Sequence, residues 1–504
     1  MTRQEQIEFL GQQKPSKFND KKNFLSYLII PIPHKVYDFK TIDEFLNKVD
    51  EANWDFLNKQ NKRVLDYANS LKKHIYESFL PFYNEKKKDN FFIEKKHLLL
   101  RKKINKKFKI ESKYDNGKTT DNDFILEDID LWILEENIAF FVLKFGIDEY
   151  SKLTLNDLSI TNRTLKDFRN LQIKNNSIIF DKENANFIDW LLNLTKIDNK
   201  SFLNIKKEDL ESDDFYPIYN SSYYAKLLTA VHINIEDTKL SQIEKTTQEL
   251  KTIEIDGTDT IEEMPFLLAT TSELYPSKMW EANENYINEM VNKGGINIWK
   301  YWSGITLKDS LSFFSVNDGG GMIVSSCKDI NYFIYIMNLY LDYSIKLLED
   351  KLAKDKHFFD IEKSFKMAEK LQILKNLYMN EEIAIRFQPN EIHQAILSGL
   401  ETKKLLEEVQ NNVEKTYDRT KDNTGFIATL ITITVALAGL FVSQDEIRDL
   451  IHKNIILTLI LFLIIGLIII TFRRRLIGWI SRWKIITQYY FKRIKMYCLE
   501  KCRI

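Results

Sequence analysis

Two apolar runs near the end of the chain constrain it more than any other feature. Gly425 to Val442 reads GFIATLITITVALAGLFV, and Ile455 to Phe472 reads IILTLILFLIIGLIIITF, with no charged residue in either. Each has about the 18 residues with which a helix crosses a bilayer core. Only SQDEIRDLIHKN lies between them. The expectation is a two-span hairpin over residues 425–472, with the larger part of the chain in front of it.

Charge around the hairpin sets its direction. The tail over 473–504 opens on Arg473, Arg474 and Arg475 and continues with Arg482, Lys484, Lys492, Arg493 and Lys495, against the single acid Glu500. The loop between the runs has only Arg448 and Lys453 as strong cations. Positive charge stays on the cytoplasmic side, so the tail is expected there. Two crossings put the N-terminal part on the same side. The expected place is therefore the inner (cytoplasmic) membrane, multi-pass, with both termini cytoplasmic. The opening MTRQEQIEFLGQQKPSKFND lacks the apolar segment of a secretory leader. The three cysteines, Cys327, Cys498 and Cys502, suit a reducing compartment. Trp479, Trp483, Tyr489, Tyr490 and Phe491 give the tail the aromatic and basic character of a helix lying along lipid headgroups.

The preceding part is long enough for two or three compact domains. With 72 basic and 72 acidic residues overall, direct nucleic-acid binding is not expected. Charge is segregated locally: residues 86–109 are strongly basic and residues 127–136 acidic. Such a basic run is expected on a solvated face or paired with the acidic segment. Thr41 and Glu44 form a T-x-x-E capping pattern that opens a helical region, whose periodicity continues to Pro81. DIDLWILEENIAFFVLKFGID reads as a β-hairpin turning at Glu135–Asn137. Residues 154–205 read as mostly helical, with a short strand at SIIF. YYAKLLTAVHINI and EEMPFLLATTSEL read as strand or mixed segments, and 240–262 as a polar loop. The front is thus expected to be an α/β domain over 1–327.

From 328 onward the pattern is helical. INYFIYIMNLYLDYSIKLLEDKLAKD and FFDIEKSFKMAEKLQILKNLYM each read as a long helix. From Leu400 to Gly425 no proline or glycine intervenes. One helix of about 50 residues, roughly 75 Å long, is expected to run into the first apolar run. At 100° per residue, one narrow face of it collects Glu407, Asn411, Glu414, Asp418, Gly425, Thr429, Thr432, Ala436, Gly439 and Ser443. A different face carries Leu406, Val409, Val413 and Thr416 at packing-seam spacing. Small and hydroxylated residues on a membrane helix serve either close helix packing or a water-filled path. The candidate pore-lining set is Glu414, Asp418, Gly425, Thr429, Thr432, Ala436, Gly439 and Ser443. The two acids would ring a cytoplasmic mouth and attract cations.

Other motifs weigh less. NDGGGM (Asn317–Met322) lacks the lysine and spacing of a P-loop and reads as a tight turn between strands. Trp299, Tyr301 and Trp302 would stack on a base or anchor a core. Arg386 and His393 have the spacing of a HEPN-type ribonuclease pair, but Pro389 interrupts the helix such a site needs. The remaining histidines are scattered. No catalytic set, metal site or cofactor is expected, and the ligand-binding residues are not readable.

A sheet domain, a long helix entering the first span, a short outer loop, a second span and a basic tail together resemble the CorA superfamily of cation channels. The resemblance covers architecture from about residue 328 to 504. That family ends its first span in Gly-Met-Asn; here Gly439-Leu440-Phe441 stands at that place, and only the glycine matches. The resemblance implies a homo-oligomer, a pentamer in that family, whose first span lines the pore. The large N-terminal region and the missing triad resemble the branch that accompanies type III CRISPR systems. That branch implies an antiviral membrane effector opened by a nucleotide-type ligand joining S-adenosylmethionine to AMP. The contrasting expectations are a membrane-anchored enzyme or nuclease whose hairpin is only a tether, and a scaffold that recruits a protein to the membrane.

Overall fold

The computed structural model describes residues 3–415 apart from 19–20, 34–41, 58–69, 80–96, 135–137, 149–151, 169–170, 175–176, 181–185, 198–199, 202–224, 235–259, 273, 275–282, 300–301, 317–320 and 355–360. Both apolar runs and the basic tail lie outside the described residues. Among the described residues no helix is long and apolar enough to cross a membrane.

The front of the chain alternates helix and strand. It runs α1 (Arg3–Gly11), β1 (Lys17–Phe18), β2 (Lys21–Lys22), β3 (Phe24–Pro33), α2 (Ile42–Glu51), β4 (Asp55–Phe56), α3 (Lys73–Phe79), β5 (Leu98–Lys113), β6 (Thr119–Leu134) and β7 (Ile138–Gly146). Next come α4 (Leu155–Lys166), β8 (Leu171–Lys174), β9 (Ser177–Phe180), α5 (Asn186–Asn193), β10 (Lys196–Ile197), β11 (Lys200–Ser201), β12 (Lys226–Ile233) and α6 (Thr260–Ala269). The last sheet segment holds α7 (Glu284–Gly294), β13 (Gly295–Trp299), β14 (Trp302–Leu307) and β15 (Ser310–Val316). Helices follow: α8 (Gly321–Lys328), α9 (Ile330–Lys354), α10 (Ile361–Tyr378), α11 (Phe387–Gly399) and α12 over 402–415.

Most strands join one sheet of 11, in the order β13-β14-β15-β12-β3-β7-β6-β5-β9-β8, with β4 beside β5. It is mixed: β12 runs parallel to β15 and β5 parallel to β9, and the other pairings are antiparallel. Strand alternation divides the sheet into two unlike faces. One face is mainly apolar, with Ser26 and Thr229 hydrogen-bonded to Asn162 of α4 within it. Leu28, Leu143, Leu131, Leu100, Leu227 and Phe314 point into a core completed by Leu158 and Leu165 of α4, Leu191 of α5 and Met264 of α6. The opposite face carries Arg101, Asp130, Lys144, Tyr27 and Lys226 and lies under α9. Tyr332 of α9 packs edge-on against Tyr27 at 5.4 Å, and Tyr343 packs at a tilt on Phe140 at 5.6 Å.

The hairpin expected at 128–148 is present as β6 and β7, and SIIF is β9. Residues 98–109 of the basic run lie in β5. There Arg101 faces Asp130 and Lys103 faces Asp128 of the acidic segment, and Lys109 faces Asp123 just before it. Opposite charges at facing positions support such a ribbon. The helical region after Thr41 is interrupted by a strand and is helical again at α3; residues 58–69 between them lie outside the described residues. α2 ends at Glu51, Asn53 takes a left-handed φ of 57°, and Asp55–Phe56 pairs with β5. Trp54 drives that exit: its ring is buried and its indole N–H donates to the Leu194 carbonyl at 2.9 Å. The mixed segment at EEMPFLLATTSEL resolves into α6, a helix with Pro265 inside it. NDGGGM leads from β15 into α8, so it links a strand to a helix and not two strands.

The chain divides into two compact units: residues 1–353 with 371–409, and residues 354–370 with 410–504. α9 belongs to the sheet unit, with Tyr332, Phe333, Ile334, Tyr335 and Ile336 fully buried.

Candidate functional site

The root of α12 is where the sheet unit hands over to the helix that leads toward the first apolar run. α11 stops at Gly399, and Glu401 takes a left-handed φ of 59° before α12 begins. Gly399 is fixed by crowding. A Cβ there would lie 2.2 Å from the Thr306 carbonyl oxygen of β14, and Gly294 meets the same oxygen from α7. The Glu401 carboxylate is gripped by Lys293 at the end of α7 and by Lys308 at 2.8 Å in the β14–β15 turn. Hydrogen bonds from these lysines pull its pKa down to about 2.

α12 then divides by face. Thr402, Leu406, Val409 and Val413 are buried, while Glu407, Asn411 and Glu414 are exposed. The described members of the expected seam are thus buried, and the described members of the expected stripe lie on an exposed face that also carries Lys403, Lys404, Glu408, Asn412 and Lys415. Glu414 accepts a hydrogen bond from Gln410 Nε2 at 3.0 Å. Asp418, Gly425, Thr429, Thr432, Ala436, Gly439 and Ser443 lie outside the described residues, as does Thr416.

Under α9 the sheet buries an ion cluster. Arg101 donates from Nε to Asp130 Oδ1 at 2.6 Å and from Nη2 to Oδ2 at 2.8 Å. Lys144 pairs with Oδ2, and the Tyr332 hydroxyl donates to the same oxygen at 3.0 Å. The Tyr332 oxygen in turn accepts from Trp132 Nε1 at 2.7 Å. Lys144 also lies over the Tyr332 ring, 4.8 Å from its centroid. Burial pushes the Asp130 pKa upward, but Lys144 and Arg101 outweigh it and hold the group well below the usual carboxylate range. The cluster is satisfied from several sides, and its chemistry is that of a clamp between α9 and the sheet.

A second buried polar group sits where β12 and β15 begin. Lys166 of α4 pairs with Asp309 at 2.8 Å, and Lys346 of α9 with Asp342 at 2.6 Å. Lys226 opens β12 and donates to the Lys308 carbonyl at 2.7 Å. Lys308 thus touches Lys226 through its backbone and Glu401 through its side chain. Sequence reading missed these residues, because they are far apart along the chain. One local signal was present: the first part of α9, 330–343, is apolar and aromatic apart from Asn331, Asn338 and Asp342, all buried.

The motifs singled out in sequence do not converge. Arg386 is the exposed N-cap residue of α11, whereas His393 is fully buried in the same helix. Pro389 sits in the first turn of α11, where a missing N–H costs little, so the helix starts there and is not interrupted. Asn338 Nδ2 lies 3.0 Å from His393 Nδ1, and burial pushes the imidazole down to about 3, keeping it neutral. The pair therefore has no nuclease geometry. Trp302 is a core residue, edge-on to Phe313 at 6.0 Å; Tyr301 is outside the described residues, and nothing further is assigned to Trp299. Cys327 is buried, its thiol accepting from Asn331 at 3.6 Å, and burial raises its pKa beyond reactive range. Cys498 and Cys502 lie outside the described residues. No protein-family model, curated protein or solved structure matches the chain.

Proposed function

We propose that this chain is a subunit of an oligomeric, ligand-gated channel of the inner membrane, CorA-like in plan, acting as a pore-forming effector in antiviral defence. Identical copies would gather around an axis, as pentamers if the resemblance extends to subunit number. Membrane lipid surrounds the two apolar runs, and a small nucleotide-type ligand acts on the sheet domain.

The observation that carries this reading is the division of α12. Its exposed face holds Glu407, Asn411 and Glu414, together with Lys403, Lys404, Glu408, Asn412 and Lys415. Continued as a helix, that face meets Gly425, Thr429, Thr432, Ala436, Gly439 and Ser443, while the buried seam keeps the helix seated. A wet, charged face with Glu414 toward the first apolar run, continued by a hydroxylated face inside that run, is compatible with a cation path. The root of the same helix is gripped by Glu401, Lys293 and Lys308. A ligand with unequal affinity for two settings of that root would shift the pore between them.

The test is ion flux from liposomes reconstituted with the purified chain. Thr432→Trp should suppress flux, whereas Leu430→Trp, on the far side of the helix, should leave most of it. Equal flux in both variants sinks the pore assignment and leaves the hairpin as a tether.

A further inference from the structure

The turn between α11 and α12 rests on one residue. The Glu401 N–H donates to the Ser398 carbonyl at 3.0 Å and closes α11, while the Glu401 carbonyl accepts from the Leu405 N–H at 3.0 Å and opens α12. A residue that ends a helix with positive φ is most often glycine. Here it is a glutamate at φ 59°. Side chains other than asparagine or aspartate seldom hold that conformation unless their surroundings impose it. The α11 side of the turn cannot yield. A Cβ on Gly399 would lie 2.2 Å, and one on Gly294 2.3 Å, from the same Thr306 carbonyl oxygen, so α11, α7 and β14 meet with no space left.

What imposes it is the glutamate side chain. Oε1 pairs with Lys293 at the end of α7, and Oε2 pairs with Lys308 at 2.8 Å in the β14–β15 turn. All three residues belong to the sheet unit. Their side chains are 38%, 69% and 29% exposed for Lys293, Lys308 and Glu401, so water can replace either partner and the grip opens easily. Two buried hydroxyls beside the turn have no hydrogen-bond partner. Thr402, which begins α12, is 0% exposed, and Thr306, whose carbonyl packs on Gly399, is 1% exposed. Buried polar groups are rarely left so, and stored strain is one reason when they are. A left-handed glutamate and two unsatisfied hydroxyls are unfavourable features of the present setting that a shift of the first turn of α12 would relieve.

We propose that Glu401 is the pivot of a strained hinge and that its carboxylate, held by Lys293 and Lys308, is the latch. The latched pair keeps the first turn of α12 in its present setting. Release lets that turn leave it, while α11 stays seated on Thr306. The hinge deepens the gated-channel reading and rests on it only for what the released helix moves; the latch itself stands or falls within the sheet unit.

The experiment is hydrogen exchange, read by mass spectrometry, on the full chain in lipid nanodiscs. Glu401→Gln should speed exchange of the amides over 402–409 by about three- to tenfold, the effect of losing a partly solvated latch, and leave β14 unchanged. The wild type in about 1 M salt should move toward the variant, because salt screens exposed pairs. Lys404→Met, which removes one charge from the exposed face of α12, should exchange as the wild type does. Glu401→Gly should exchange more slowly than Glu401→Gln, since glycine holds a positive φ without strain. Equal exchange over 402–409 in the wild type and Glu401→Gln overturns the latch. Glu401→Gly exchanging as fast as Glu401→Gln overturns the strained pivot. If Glu401→Gln does not fold, Lys308→Met carries the test with the same outcomes. Faster exchange with unchanged ion flux sinks the coupling to a channel and leaves the hinge; altered flux with unchanged exchange does the reverse.

Discussion

Asp130→Asn should be the most damaging single-atom change in the sheet unit. The carboxylate is fully buried and answers two cations at once, Arg101 and Lys144, of which Lys144 is 2% exposed. With an amide in its place, the remaining acid near Arg101 is Asp128, at 3.8 Å. Breaking a buried pair from one side typically costs about 3–5 kcal/mol, because the surviving charge stays buried. In a unit this large each kcal/mol lowers the midpoint by about 2 °C, so a fall of about 6–10 °C is expected. The assay is thermal denaturation of the full chain in detergent, followed by near-ultraviolet circular dichroism, which reports the aromatic packing of Trp132 and Tyr332. Adding Lys144→Met should recover part of the loss, since it removes the stranded ammonium. A single variant that melts within about 1 °C of the wild type would refute the reasoning, as would a double variant that melts below the single.

The remaining predictions concern the root of α12. The folded pKa of Glu401 lies below its unfolded value of 4.5, so its contribution is present above that pH and is lost as pH falls toward about 2. Its lysine partners are partly solvated, so the contribution is only about 1 kcal/mol. The gap in midpoint between wild type and Glu401→Gln should be visible at neutral pH and close across that acid window; a gap that is constant with pH contradicts the clamp. Gly399→Ala should destabilise by about 1–3 kcal/mol, because the new methyl meets a β14 carbonyl that cannot move aside. Gly117→Ala, in an open turn at φ 82°, should cost only about 1 kcal/mol in a parallel melt.

Short-range pattern made part of this fold legible. The alternating arms of the β6–β7 hairpin, the β-branched run of β9 and the long apolar α9 all follow from local periodicity. Facing charges told that the basic and acidic segments belong together. Pairing across distance was not legible. β4 forms because Trp54 finds a carbonyl at Leu194 and Phe56 finds β5, which outweighs the helical propensity of its neighbours. Pro389 reads as a helix breaker until the start of α11 is fixed at Phe387 by Asn390, whose side chain accepts from the Ile383 and Ala384 amides. Lys226, Asp342 and Glu401 come from three regions of the chain, and no spacing unites them. Only α9 carried a hint, in the buried polar face that an ordinary packing helix would not need.

The central claim is that the threonine-bearing face of the first apolar run meets water. Its most direct test is thiol accessibility in proteoliposomes, after replacing Cys327, Cys498 and Cys502. Single cysteines at Thr429, Thr432 and Ala436 should react with a membrane-impermeant thiol reagent in the presence of the opening ligand. Cysteines at Leu430 and Leu437 should remain protected. Protection at all five positions, or reaction at the leucines and not at the threonines, would contradict the account.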